Sequence, residues 1–185
     1  MKSNTEEEIQ IENRLRDFAW LLNDLVVDLK TPADIWTSLS SKANTTAQFM
    51  SIARLFVSVA IINLCKLDEA INFYGREIRN FPDEFQKSLR EIKKFIEQRK
   101  IYAYRSKYLA HAFSSGEYKK RPLLIQDAEP ALKEIISFGH ESYSRNLDDF
   151  ASFIYKKDDM NSVVNLLHEI IKYIDIKVNG LGNRE

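Results

Sequence analysis

The sequence predicts an all-α protein, and three observations carry that prediction. Apolar residues recur at three- and four-residue steps along most of the 185 residues, the spacing of one buried helix face. Only five Gly and four Pro are present to break long helices. The stretch around Val57 to Ile62 carries several β-branched residues, but it lies between helical neighbours, which favour helix over the strand its propensity would also allow. The pattern reads as an up-and-down helical bundle with additional short helices. No internal repeat, low-complexity tract or linker divides it, so residues 1–185 are expected to form one domain.

Thr5 and Glu8 read as a capping box, and the acidic first turn is expected to complement the dipole of the helix it opens. Ile11, Leu15, Phe18, Leu22, Leu25 and Leu29 give that helix its stripe, which is expected to end before Pro32. Thr31 and Pro32 then read as the cap and first position of a short helix carrying Ile35, Trp36 and Leu39. A third helix starts near Asn44 to Thr46. Its face is Phe49, Ala53, Phe56, Ala60, Leu64 and Leu67, with Val57, Ile61 and Ile62 on other sides, as expected of the central, most buried helix. The pattern weakens at Phe73-Tyr74-Gly75 and stops by Pro82, after which Asp83 opens a helix expected to run to Phe113.

Beyond Ser114 lies a polar loop, then helices over Asp127 to Phe138, around Leu147 to Ile154, and from Met160 to Val178, the last stopped by Asn179-Gly180. The helix from Asp83 is the one the rest is expected to organise around. Phe85, Leu89, Ile92, Ile96, Arg99, Ala103, Ala110 and Phe113 form one stripe, while Ile101, Tyr104, Tyr108 and His111 lie on the far side. A helix apolar on two sides is buried on two sides, the second covered either by more of this chain or by another copy of it.

Net charge is zero, so no global field draws the protein onto nucleic acid, and RNA binding would need a local patch. The N-terminus has no apolar export segment, and the apolar run from Leu55 to Cys65 contains Asn63 and is short for a membrane span of about 20 residues. The single Cys65 sits in that run as a core residue. These features predict a cytoplasmic protein without membrane association. There is no Glu-x-x-His, His-Glu-x-x-His, Cys cluster, phosphate-binding Gly-rich loop or Gly-x-Ser-x-Gly elbow, so no metal or other cofactor is expected. His140 and His168 carry no spacing signal and read as structural.

What remains is Arg105 with His111, six residues apart and thus about 9 Å along a helix axis. Ser114-Ser115-Gly116 is expected to end the helix soon after, which would put His111 at the negative end of its dipole and favour imidazolium. Tyr104-Arg105-Ser106-Lys107, followed by Ala110-His111, resembles the HEPN superfamily of small all-helical proteins, in particular its abortive-infection and toxin branch. That resemblance covers about ten residues and the general architecture. Family members thought to be active commonly have Asn, Asp or His directly after the Arg, where this chain has the shorter Ser106.

The resemblance implies a metal-independent endoribonuclease of toxin or phage-defence type. Arg105 and His111 would be catalytic and Ser106 and Lys107 supporting. Ile101, Tyr104 and Tyr108 would line a two-fold interface where the pairs from two copies meet. A nucleotidyltransferase-like antitoxin is the partner such a toxin would have. The alternative is a catalytically inactive HEPN-like interaction module using the same surface. Lys119, Lys120 and Arg121 either hold RNA phosphates or form a solvated run, and Tyr104 and Tyr108 either stack on bases or pack in the fold.

Overall fold

The computed structural model describes residues 6–109 and 125–182, with backbone alone at 125–127. It is an all-α helical bundle, and no strand occurs among the described residues. In order the helices are α1 (Glu6–Leu39), α2 (Thr46–Phe73), α3 (Gly75–Ile78), α4 (Asp83–Gln98), α5 (Ile101–Tyr104), α6 (Ile125–Ile136), α7 (Tyr143–Ile154) and α8 (Val163–Lys177). A 3₁₀ turn at Ser40–Lys42 joins α1 to α2, and a π-helical turn at Arg105–Leu109 follows α5.

The element that organises the bundle is α1, which packs on α2, α7 and α8. This displaces the sequence expectation that the helix from Asp83 does so. Leu15, Phe18, Leu22, Leu25 and Leu29 are buried as their spacing requires, whereas Ile11, the first residue of the expected stripe, is exposed near the helix start, and α1 does not stop before Pro32. It runs through that residue, and Trp36 is buried on the same helix. A proline inside a helix removes the N–H that would reach the carbonyl four residues earlier, here that of Asp28. The buried Asn63 of α2 supplies the substitute: its Nδ2 donates to the Asp28 carbonyl at 3.4 Å and to its own helix's Val59 carbonyl at 3.0 Å. The polar residue that interrupts the α2 apolar run thus serves the proline of α1.

Thr45 caps α2, its side chain accepting from the Gln48 amide at 3.2 Å. Including its flanks, α2 is 28 residues and is long and apolar enough to cross a membrane, so the shortness inferred from Leu55 to Cys65 alone does not hold. Half of its most apolar window is buried in the bundle, as a core helix also requires. Aromatic rings tie the layers: Trp36 packs on Phe49 and Phe56, Phe56 on Phe150, and Phe150 on Phe95. The Trp36 indole also donates to Asp148 Oδ1 at 2.9 Å, fixing α1 to α7.

The single helix expected from Asp83 to Phe113 is broken at Arg99 and Lys100. Lys100 adopts the left-handed region (φ 53°), which L-residues rarely occupy and which ends an α-helix. The break rotates the following segment. Leu89, Ile92 and Ile96 are buried before it, whereas after it Ile101 and Tyr104 are buried and Ala103 is exposed. The apparent second apolar face is therefore, for Ile101 and Tyr104, the same core met by a re-aimed chain. Arg99, the charged interruption of the stripe, explains itself here. Its guanidinium donates to the Ile135 carbonyl at 2.6 Å and the Glu134 carbonyl at 3.3 Å, the C-terminal end of α6. It also stacks on Phe95 and Phe138. α6 begins at Ile125, two residues before the expected start, and Pro130 lies within it.

Candidate functional site

The site is built on one stripe of α2. Arg54, Ser58, Ile61, Cys65 and Glu69 follow one another at steps of four and three residues, so they share a face. α5 and the π-helical turn lie against this helix. Tyr104 and Tyr108 meet its Arg54–Ser58 end, and Arg105 meets its Cys65–Glu69 end. Ser58 and Cys65 are seven residues apart, about 10 Å along the axis.

Arg105 opens the π-helical turn. π-helical turns occur frequently at functional sites. Its Nη1 donates to Glu69 Oε1 at 2.9 Å, a partly exposed ion pair that raises the guanidinium pKa above its ordinary value, with Cys65 adding to the effect. Cys65 is fully buried, and burial pushes its thiol pKa up to about 11 even though Arg105 pulls it down. It is a core residue, as its sequence context predicts. Ser106 and Lys107 are exposed, and the Lys107 ammonium sits 5.0 Å from the centre of the Tyr108 ring. His111, Lys119, Lys120 and Arg121 lie outside the described residues, so only the arginine half of the expected pair has a described position.

Of the three residues assigned to a dimer surface, Ile101 is 0% and Tyr104 8% exposed within the single chain, while Tyr108 is half-buried. The Tyr104 and Tyr108 rings stand 5.1 Å apart at 46°. Burial first, then Tyr143 and Tyr108 nearby, push the Tyr104 phenol up to about 12.

Two groups that the sequence reading passed over complete the surroundings. On one side of α5, the Tyr102 hydroxyl lies 3.0 Å from both the Cys65 carbonyl and Asp68 Oδ2, donating to one or shared between them. Lys93 pairs with Asp68 at 3.5 Å and also donates to Asn72. On the other side is a cleft of about 230 Å³, whose walls include Arg54, Ser58, Tyr104, Tyr108, Glu129 and Tyr143. The Tyr143 hydroxyl oxygen is itself buried and has no hydrogen-bond partner among the described residues. The polar positions Arg54, Ser58 and Glu69 of α2 were the available signal, and it becomes one only when their common face is recognised.

Among the described residues no three His, Cys, Asp or Glu side chains converge as a metal set requires. The site can hold an anion through Arg105, if Glu69 releases it, and an aromatic group in the tyrosine-walled cleft. No family model, curated protein or solved structure matches the chain.

Proposed function

We propose that the protein is a HEPN-like, metal-independent endoribonuclease of toxin or phage-defence type that acts in the cytoplasm as a homodimer. The observation that supports this reading is the π-helical turn Arg105–Leu109, which opens the segment resembling HEPN proteins and holds a guanidinium at the surface of an all-α bundle. In this reading the His111 imidazole takes the proton of a ribose 2′-hydroxyl as that oxygen attacks the adjacent phosphorus. The bond to the 5′-oxygen breaks, and that oxygen receives a proton from the same residue of a second copy. Arg105 leaves Glu69 to hold the phosphate as charge builds on its oxygens, with Ser106 and Lys107 beside it. Lys119, Lys120 and Arg121 contact flanking phosphates. A nucleotidyltransferase-like antitoxin would restrain the enzyme. Ile101 and Tyr104 support the dimer surface from inside, and Tyr108 is the one of the three that a second copy can reach.

The second reading, a non-catalytic interaction module, is favoured by the same Arg105–Glu69 pair, because a guanidinium already held by a carboxylate is a plain structural feature. Incubation with total RNA in EDTA separates the two. The enzyme reading expects cleavage that falls about 100-fold or more in both Arg105→Ala and His111→Ala, and rises several-fold in Glu69→Gln, which frees the guanidinium. Absence of cleavage, or equal cleavage by the alanine variants, leaves the interaction module.

A further inference from the structure

Arg105 follows a helix of only four residues, α5, which itself follows the break at Lys100. A helix that short does not hold itself together, so the aim of the guanidinium depends on what seats α5 on α2. Ile101 and Tyr104 are buried, but apolar burial is non-directional and does not by itself set a register. The directional contact is Tyr102. Its hydroxyl lies 3.0 Å from the Cys65 carbonyl and 3.0 Å from Asp68 Oδ2, both on α2. Burial first, then Asp68, raise the phenol pKa, so the group stays protonated and donates.

Asp68 is itself held. Its Oδ2 accepts from Asn72 Nδ2 at 3.1 Å, and its Oδ1 lies 3.5 Å from the Lys93 ammonium of α4. Asp68 and Glu69 are consecutive on α2, and Tyr102 and Arg105 are three residues apart on the segment packed against it. Tyr102 on Asp68 and Arg105 on Glu69 are thus two contacts of one register, and a slip of one residue breaks both. Cys65, one turn back on α2, is enclosed by the same seating. Tyr102 engages its carbonyl, and Arg105 lies within hydrogen-bonding reach of its thiol.

We infer that Tyr102 is a positioning residue for Arg105, its hydroxyl on Asp68 and the Cys65 carbonyl fixing α5 in the register that brings the guanidinium to Glu69. This placement does not depend on what Arg105 binds. That it serves the phosphate of a cleaved RNA bond rests on the ribonuclease reading above. Cys65 is the only cysteine and is fully buried, so its thiol reports whether α5 is seated, while labelling of Arg105 reports whether the guanidinium is held.

The test labels the full chain with an aromatic disulfide, which reads Cys65, and with phenylglyoxal, whose attachment at Arg105 is read by peptide mass spectrometry. Tyr102→Phe keeps the ring and removes the hydroxyl, so both rates are expected to rise about five- to ten-fold, the equivalent of one lost hydrogen bond. Below the unfolding transition those rates are expected not to change with urea, as local opening requires. Rates that climb with urea from the lowest concentrations report global unfolding and overturn the positioning role. Glu69→Gln is expected to raise the Arg105 rate alone, because α5 stays seated. Asp68→Ala is expected to match Tyr102→Phe, whereas Asp68→Asn, which keeps an acceptor oxygen, is expected to stay within about two-fold of wild type. Equal Arg105 labelling in wild type, Tyr102→Phe and Asp68→Ala overturns the inference. RNA cleavage is expected to fall about ten-fold in Tyr102→Phe, because a displaced guanidinium no longer meets the phosphate. Faster labelling with no RNA cleavage by wild type sinks the ribonuclease and leaves the positioning role, whereas cleavage by wild type with labelling unchanged in the variants sinks the positioning role and leaves the ribonuclease.

Discussion

Glu77 is almost entirely buried, and it remains charged because Arg14 reaches it from α1. Nε lies 2.5 Å from Oε1 and Nη2 lies 3.3 Å from Oε2. The same guanidinium covers the Phe73 and Tyr74 rings. The Arg14 hydrogen bond holds the Glu77 carboxyl below its ordinary pKa of 4.5, against the opposing effect of burial. A carboxyl whose folded pKa is depressed contributes stability that is complete above its unfolded value and lost as pH falls through the folded one. Glu77→Gln is therefore expected to melt several degrees below wild type at pH 7, with a gap that stays constant down to about pH 4.5 and closes below it. Thermal melts across that range check this. No sequence pattern announces this pair, since its partners are 63 residues apart and Glu77 sits in a four-residue helix. Cys65, by contrast, was legible at once, because an isolated thiol within an apolar helical run has few other places to be.

At the level of the element, stripes told where helices lie and misjudged where they stop. Pro32 argues locally for a helix end, and Lys100 gives no local reason to expect one; the structure reverses both. In each case a tertiary contact decides. For Pro32 it is the Asn63 amide on the unpartnered Asp28 carbonyl. For the break at Arg99 and Lys100 it is the grip of Arg99 on the end of α6. Pro32→Ala restores the helical N–H and is expected to stabilise the protein by about 1 kcal/mol, somewhat less than the usual helix-interior penalty because the site is buried. Asn63→Ala alone is expected to lose about 1–2 kcal/mol, and in the Pro32→Ala background about 0.5–1 kcal/mol less. A denaturant double-mutant cycle measures the coupling, and additive effects would mean that Asn63 does not serve the proline.

For the whole molecule, the composition and stripes made the all-α bundle legible, and its order of assembly was not. Helical projection treats Asp83 to Phe113 as straight, and a straight projection makes one core face look like two. Once the chain turns at Lys100, Ile101 and Tyr104 join the interior, so their periodicity no longer argues for a second copy. The proposed homodimer then depends on Tyr108 and on the HEPN resemblance. Tyr108→Asp, which replaces a half-buried side chain, is expected to shift a dimer to monomer on size-exclusion with light scattering while the helical circular dichroism is retained. A monomeric wild type would remove the dimer. Tyr104→Asp is unsuited to that purpose, because a charge placed at an 8% exposed position is expected to unfold the chain instead. The candidate site was half legible: Arg105 stood out through its neighbours in sequence, whereas Glu69, Arg54 and Tyr143 join it only through folding.

The grip of Arg99 on α6 also gives the break in the chain a second use. Arg99 and Lys100, the two residues at which α4 gives way to α5, both reach the C-terminal end of α6, the first through the Ile135 carbonyl at 2.6 Å and the second through a 2.9 Å ion pair with Glu134. The corner that re-aims the backbone is thus also the clasp that fixes α6 against it.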